Sequence, residues 1–118
     1  MDFVGHKDGW INKNNYRKKI LADQDILGDG RIIQIVEVKP GNEVKTHRHK
    51  KTEEIFYILR PAGKIVINGD EVETRKEQIL LCEAGDTHSV VNNSDETLRI
   101  LVFKSNFVED DTEWLNNG

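Results

Sequence analysis

Residues 41–59 read GNEVKTHRHKKTEEIFYIL, and His47 and His49 stand one residue apart in this stretch. On a β-strand, side chains at i and i+2 point to the same face, roughly 6–7 Å apart along the strand. Two imidazoles at that spacing can reach one metal ion. Glu54 follows a short polar run and opens the apolar segment 55–59, which is typical of a second strand. A turn over 50–53 would return Glu54 to the histidines as an oxygen ligand.

A second segment, residues 83–92, reads EAGDTHSVVN. His88 follows a Gly-Asp turn signal and begins a β-branched run, so we expect it to be the first residue of a strand. The His47–His49 pair alone is also compatible with two solvated histidines. A third histidine in a comparable position favours a metal site instead. We expect the fourth histidine, His6, to be solvated.

The first segment resembles the first motif of the cupin superfamily, which runs Gly, five residues, His-x-His, three or four residues, Glu, six residues, Gly. Its spacing is matched by the four residues Gly41, His47, His49 and Glu54. The closing glycine position is Pro61, and Gly63 follows two residues later. This departure affects a turn and leaves the ligand positions in register.

The second segment resembles the second cupin motif, which runs Gly, five residues, Pro-x-Gly, two residues, His, three residues, Asn. Gly85, His88 and Asn92 match it, whereas Glu83 stands at the proline position and Glu77 at the leading glycine. The resemblance covers residues 41–92 and implies one metal site per chain. It assigns the ligands to His47, His49, Glu54 and His88.

Three neutral imidazoles and one carboxylate would leave a divalent ion with one residual positive charge. This donor set suits Fe, Mn, Ni, Co, Cu or Zn, and the sequence does not distinguish them. A tetrahedral zinc ion would be saturated by four protein ligands, as in structural sites. A five- or six-coordinate ion would keep positions for water, O₂ or a substrate and could act as a Lewis acid.

The rest of the chain predicts an all-β protein. Short runs rich in Ile and Val recur at regular spacing, and Asn68-Gly69 is a strong hairpin signal. We predict strands at 18–22, 31–39, 44–49, 54–59, 64–67, 71–74, 78–82, 88–91 and 98–104. This pattern favours a β-sandwich or barrel, and the resemblance implies the double-stranded β-helix, or jelly roll, of cupins.

With 118 residues and 13.6 kDa, the chain is expected to form one domain. We predict an N-terminal arm over 1–15, a barrel domain over 16–107 and an acidic tail over 108–118. The tail is expected to be solvated, with a short helical turn.

The composition limits the kinds of binding partner and the cellular compartment that we expect for this protein. A net charge of −4 argues against a general nucleic-acid binder. No signal peptide or membrane-spanning stretch is recognisable, and Cys82 is the only cysteine, so that we expect a cytoplasmic protein without a membrane partner. We expect Cys82 to be a buried, inert thiol.

Three functional classes stay open. The first is a small metal-dependent enzyme, an oxygenase, isomerase, decarboxylase or lyase, acting on a small substrate that is either anionic or neutral. The second is a non-catalytic module that binds a small molecule or sugar, and the third is a barrel with a purely structural metal. Strict alternation puts Lys45 on the face of His47 and His49, where it would attract an anionic substrate; it is otherwise part of a solvated basic rim.

The strand over residues 54–59 also predicts the oligomeric state. If Glu54 and Phe56 face the barrel interior, then Ile55, Tyr57 and Leu59 face outward. An outward apolar row in so polar a chain indicates a partner surface. We therefore expect a homodimer.

Overall fold

The structure is a computed structural model and describes residues 9–115. His6 and the ends of the predicted arm and tail lie outside these residues. The described part forms eleven strands and one short helix: β1 (Ile11–Asn12), β2 (Arg17–Ala22), α1 (Gln24–Leu27), β3 (Ile32–Val38), β4 (Glu43–His49), β5 (Glu53–Arg60), β6 (Lys64–Ile67), β7 (Asp70–Glu73), β8 (Ile79–Cys82), β9 (His88–Val91), β10 (Leu98–Ser105) and β11 (Thr112–Trp114). Within residues 9–115 no helix is long and apolar enough to span a membrane.

The first sheet has six antiparallel strands in the order β1-β2-β3-β10-β5-β8. β10 lies near its centre and pairs with β3 on one side and with β5 on the other. Alternation along β10 buries Leu98, Ile100 and Val102, while the residues between them face the outside of the sheet. This sheet therefore supplies one wall of the interior.

The second sheet has five antiparallel strands in the order β11-β4-β9-β6-β7. β6 and β7 form the hairpin that the Asn-Gly pair predicts. Asn68 has φ 51° and Gly69 has φ 84°, as a two-residue turn of this type requires. The two sheets together confirm the predicted all-β jelly-roll fold.

The core lies between the two sheets. Its buried members are apolar and come from both walls: Val38, Val44, Phe56, Ile58, Ala62, Ile65, Cys82, Val90, Leu98, Ile100 and Val102. Cys82 is buried, as expected. Because β-branched and aliphatic side chains fill this space, the polar side chains that also point inward stand out as candidates for function.

The tail differs from the sequence-based expectation. A short helical turn was expected after residue 108, but Thr112–Trp114 form β11 and pair with β4 in the register Thr112↔His49, Glu113↔Arg48 and Trp114↔His47. The exposed edge of β4 offers unpaired backbone groups, and a short strand satisfies them. Acidic composition alone carries no sign of this pairing.

Candidate metal centre

Three buried histidines meet at the inner face of the second sheet. β4 supplies His47 and His49, and the neighbouring β9 supplies His88, which is paired with His47. One ring nitrogen from each lies within 4.8 Å of the other two. The imidazole centroids of His47 and His88 are 4.0 Å apart. The structure thus brings together the three histidines that the sequence singled out.

Glu54 reaches these histidines from the opposite sheet. It opens β5, and its Oε1 lies 2.8 Å from Nε2 of His49 and 3.3 Å from Nε2 of His88. β4 and β5 are therefore not a hairpin: the turn at 50–52 carries the chain from one sheet to the other. The four side chains consequently approach from two walls and surround one point.

The donor atoms fit a metal ion. Two ligands at right angles on an ion, with bonds of about 2.1 Å, lie about 3 Å apart, which is close to the separations of Glu54 from His49 and His88. Although buried and so near these nitrogens, Oε1 of Glu54 makes no hydrogen bond of acceptable geometry. A buried carboxylate oxygen without such a bond is costly unless another partner satisfies it.

The outer ring nitrogens orient two of the histidines. Nδ1 of His47 donates to the backbone carbonyl of Lys45 at 2.8 Å, which leaves Nε2 as the lone-pair nitrogen. Nδ1 of His49 lies 3.2 Å from the hydroxyl of Thr112 on β11. Such outer partners fix ring orientation in metal sites.

The protonation states also suit metal binding. Burial, helped by the neighbouring His88 and His49, lowers the pKa of His47 to about 4, so that its imidazole is neutral at neutral pH. Burial tends to raise the pKa of Glu54, but the nearby nitrogens of His49 and His88 and the charge of Lys104 lower that pKa by more. Although the contacts are not well-aligned hydrogen bonds, their short distances favour the ionised carboxylate.

The four side chains line part of an internal cavity of about 300 Å³. Its walls include apolar side chains of both sheets, among them Phe56, Val90 and Ile100. The indole of Trp114 covers His47, with ring centroids 4.6 Å apart. The cavity therefore has room for a small molecule beside an ion, at the lower end of the range for ligand sites.

Polar residues that the sequence analysis did not single out share this cavity. They are Lys13, Tyr16, Lys18, Gln34, Lys104 and Thr112. The sequence pattern indicates an inward position for two of them. Gln34 interrupts an Ile- and Val-rich strand, and Lys104 is in phase with the buried residues of β10.

Lys45 does not follow the strict alternation on which its predicted position rested. The pairing of β4 with β9 shifts between Val44 and His47, so that Val44 and His47 are both buried and Lys45 is exposed. Lys45 lines a wider outer depression together with Lys13 and Trp114. Its predicted role in substrate binding thus concerns the approach to the cavity and stays a prediction.

Comparisons with known proteins agree with this architecture. The cupin-domain family model matches residues 34–104. An oxalate-binding protein of Thermotoga maritima is 27% identical over 82 residues, covering 70% of this chain and 68% of that protein. The tetracenomycin polyketide synthase protein TcmJ of Streptomyces glaucescens is 24% identical over 84 residues, covering 71% of this chain and 56% of that protein.

Solved structures share the fold at low sequence identity. A cupin-2 domain from Rhodospirillum rubrum superposes with a TM-score of 0.79 at 15% identity, covering 99% of this chain and 80% of that one. A protein described as a predicted oxalate decarboxylase from Thermotoga maritima has a TM-score of 0.74 at 21% identity, covering 86% of this chain and 92% of that one. With the family model matching more than half of its residues, the chain belongs to the cupin family.

Proposed function

We propose that this cupin binds one divalent first-row transition ion through His47, His49, Glu54 and His88 and uses it to bind and transform a small oxygen-rich molecule. The observation that carries the proposal is the convergence of three ring nitrogens within 4.8 Å and a carboxylate from the facing sheet. A cavity beside the four side chains gives a ligand access to the same point.

The chemistry follows from the donor set and the cavity. The three imidazoles and the Glu54 carboxylate would hold an ion with positions left open, and such an ion would supply Lewis-acid polarisation of a bound oxygen. Burial raises the pKa of Tyr16, and the charge of Glu54 adds to this effect. The Tyr16 hydroxyl therefore stays protonated at neutral pH and can donate a hydrogen bond to a ligand in the cavity. Apolar walls limit water and strengthen these interactions.

A second candidate is binding without turnover. It is favoured by the relative described as an oxalate-binding protein, which is 27% identical to this chain. The two candidates share the ion and the cavity and differ only in whether the bound molecule changes. For oxalate as the ligand, incubating the metal-loaded protein with oxalate and measuring formate and CO₂ separates them, because a binding module leaves bound oxalate intact.

Metal content tests the proposed site. We expect about one transition ion per chain in the wild-type protein, and strong depletion in His47→Ala/His49→Ala because two of the four ligands are lost. Glu54→Gln should also lower metal retention, since an anionic ligand becomes a neutral one. Elemental analysis after dialysis against a weak chelator measures each variant and also identifies the ion.

Glu53→Gln is the matched control. Glu53 precedes Glu54 on β5, and its carboxylate lies 3.4 Å from the amide nitrogen of Asn106, outside the cavity lining. This variant should keep its full metal content. Equal metal content in the wild-type protein and the double histidine variant would refute the proposed site.

A further inference from the structure

We infer that the cavity holds a second anion-binding subsite, formed by Lys18, Gln34 and Lys104, and that the natural ligand is a small acid with two separate anionic groups. One group would bind at the metal ligands and the other at this subsite. The inference rests on the proposed function, because it places the first group on the metal.

The first observation concerns the side-chain amide of Gln34, which has no partner in the described part of the chain. It lies on β3 between Val102 of β10 and Ile20 of β2, and its side chain lines the cavity although the residue is only 4% exposed. No hydrogen bond joins its side-chain amide to any group in residues 9–115. Its amide atoms are accessible from the cavity, so a ligand oxygen there could accept hydrogen bonds from the N–H groups.

The second observation is that two lysine side chains, those of Lys18 and Lys104, face the same cavity. Lys18 faces inward from β2 beside Val36, and Lys104 faces inward from β10 beside Glu54. Partial burial lowers the pKa of Lys18, and the positive charges of Lys104 and Lys13 lower it further. The charge of Glu54 acts in the opposite direction on the pKa of Lys18, and both ammonium-bearing side chains line the same cavity.

Nothing in the described part of the chain neutralises the pair. Among residues 9–115, neither Lys18 nor Lys104 forms an ion pair within 4 Å. Lys104 instead lies 5.4 Å from the ring of Phe107. Glu54 is the nearby carboxylate, but in the proposed site its negative charge offsets positive charge of the metal ion. The cavity is thus positive overall and suited to an anion.

The position of the subsite defines the ligand class. An ammonium group binds carboxylate or phosphate as a point charge, and the Gln34 amide adds a directed hydrogen bond. A 2-hydroxy or 2-oxo acid can chelate the ion at one end. The subsite then selects those that carry a further carboxylate or phosphate at the other end.

Three stable 2-hydroxy acids test this selection: lactate, malate and 3-phosphoglycerate. Lactate has only the chelating end, malate adds a carboxylate and 3-phosphoglycerate adds a phosphate. Calorimetric titration of the metal-loaded protein should give about 10- to 100-fold tighter binding for at least one dianion than for lactate, the range expected for a charge-assisted hydrogen bond. The stronger of the two dianions identifies the second group.

Variants assign the effect to the subsite. Lys18→Gln/Lys104→Gln and Gln34→Leu should reduce the affinity for the dianion toward that for lactate, with affinities compared at equal metal loading because the charge of Lys104 also acts on Glu54. Lys104→Arg, which keeps the charge, should retain most of the preference. Lys19→Gln is the matched control, because Lys19 precedes an inward residue of the same strand and is absent from the cavity lining.

The outcomes separate the two proposals. Metal-loaded protein that binds all three acids equally, or a double lysine variant that keeps the preference, refutes the subsite alone. Protein that takes up no metal refutes the proposed function and this inference with it. Thermal unfolding of each variant checks that it folds. Added salt should weaken dianion binding to the wild-type protein, which tests the role of charge without any substitution.

Discussion

At the scale of the residue, Gly63 shows how the absence of a side chain lets the chain before β6 approach the end of β9. Its φ is +65°, and a Cβ added there would lie 2.2 Å from the carbonyl oxygen of Val91 and 2.7 Å from Cα of Asn92. The first motif lacks a glycine at its usual closing position, Pro61. Gly63, two residues later, occupies a position that only glycine fits.

Gly63→Ala should lower the free energy of unfolding by about 2–4 kcal/mol, because left-handed backbone strain and a backbone clash act together. Gly69→Ala is the matched control: its φ is +84°, but nothing lies within 4 Å of the added Cβ. That variant should lose only about 1–2 kcal/mol. Urea unfolding measures both, and equal losses would contradict the importance of the close approach.

At the scale of the element, the segment ending in β11 secures the turn between β4 and β5. The Asp111 carboxylate accepts hydrogen bonds from the backbone N–H groups of Lys50, Lys51 and Thr52 and from the Thr52 hydroxyl. This turn joins the strand carrying His47 and His49 to the strand carrying Glu54. One carboxylate therefore stabilises the connection between the two walls of the candidate metal centre.

Asp111→Ala should lower Tm by roughly 5–10 °C and weaken metal retention, because the N–H groups of the turn lose the carboxylate that accepts their hydrogen bonds. Asp111→Asn, which keeps one oxygen, should lose less, and Glu109→Ala, at an exposed residue of the same segment, should change little. Thermal unfolding and metal analysis measure these effects. An Asp111→Ala protein as stable as Glu109→Ala would contradict this role.

The pH dependence of the same variants follows from the pKa of Asp111. Burial tends to raise that pKa, but the hydrogen bonds from Thr52, Lys51 and Lys50 lower it to about 2. Because the pKa is lower in the folded than in the unfolded protein, the stabilisation is present above about pH 4 and is lost as the pH falls toward 2. The stability difference between wild type and Asp111→Asn should shrink over that interval.

Most elements could be predicted from the sequence, because alternation and β-branched residues mark strands such as Ile32–Val38 and Leu98–Ser105 directly. β11 could not, since its pairing with β4 depends on a tertiary edge and not on its own acidic composition. The register shift in β4 likewise has no local signature, and it moved Lys45 outward. The proposed ligand residues were recognisable in the sequence because their spacing matches a known motif. Lys18 and Gln34 are far apart in sequence and become neighbours only when β2 and β3 pair.

At the scale of the whole molecule, the outer face of the first sheet carries apolar side chains across the three neighbouring strands β8, β5 and β10. Cross-strand pairs join them, with Tyr57 opposite Ile79 and Leu101, and Ile55 opposite Leu81 and Phe103. Ile79 is 64% exposed and Leu81 is 52% exposed. Such a contiguous patch favours the homodimer expected from β5, which we propose forms through this face.

Ile79→Asp should convert the dimer to a monomer of 13.6 kDa, because a carboxylate would be buried in an apolar interface. Ile26→Asp is the matched control, since Ile26 is 49% exposed and lies on α1, outside the strands of this sheet. Sedimentation equilibrium measures both masses. A wild-type protein that stays monomeric at every concentration would contradict the proposed interface.

The central position of β10 sets the order of events during synthesis. Glu54 belongs to the first sheet, but that sheet cannot form around β3 and β5 before residues 98–105 are available between them. A nascent chain that has emerged only as far as His88 already carries all four proposed ligands without the wall that holds Glu54 in place. We therefore expect metal capture to follow the folding of β10, after the ligand-bearing strands have been synthesised.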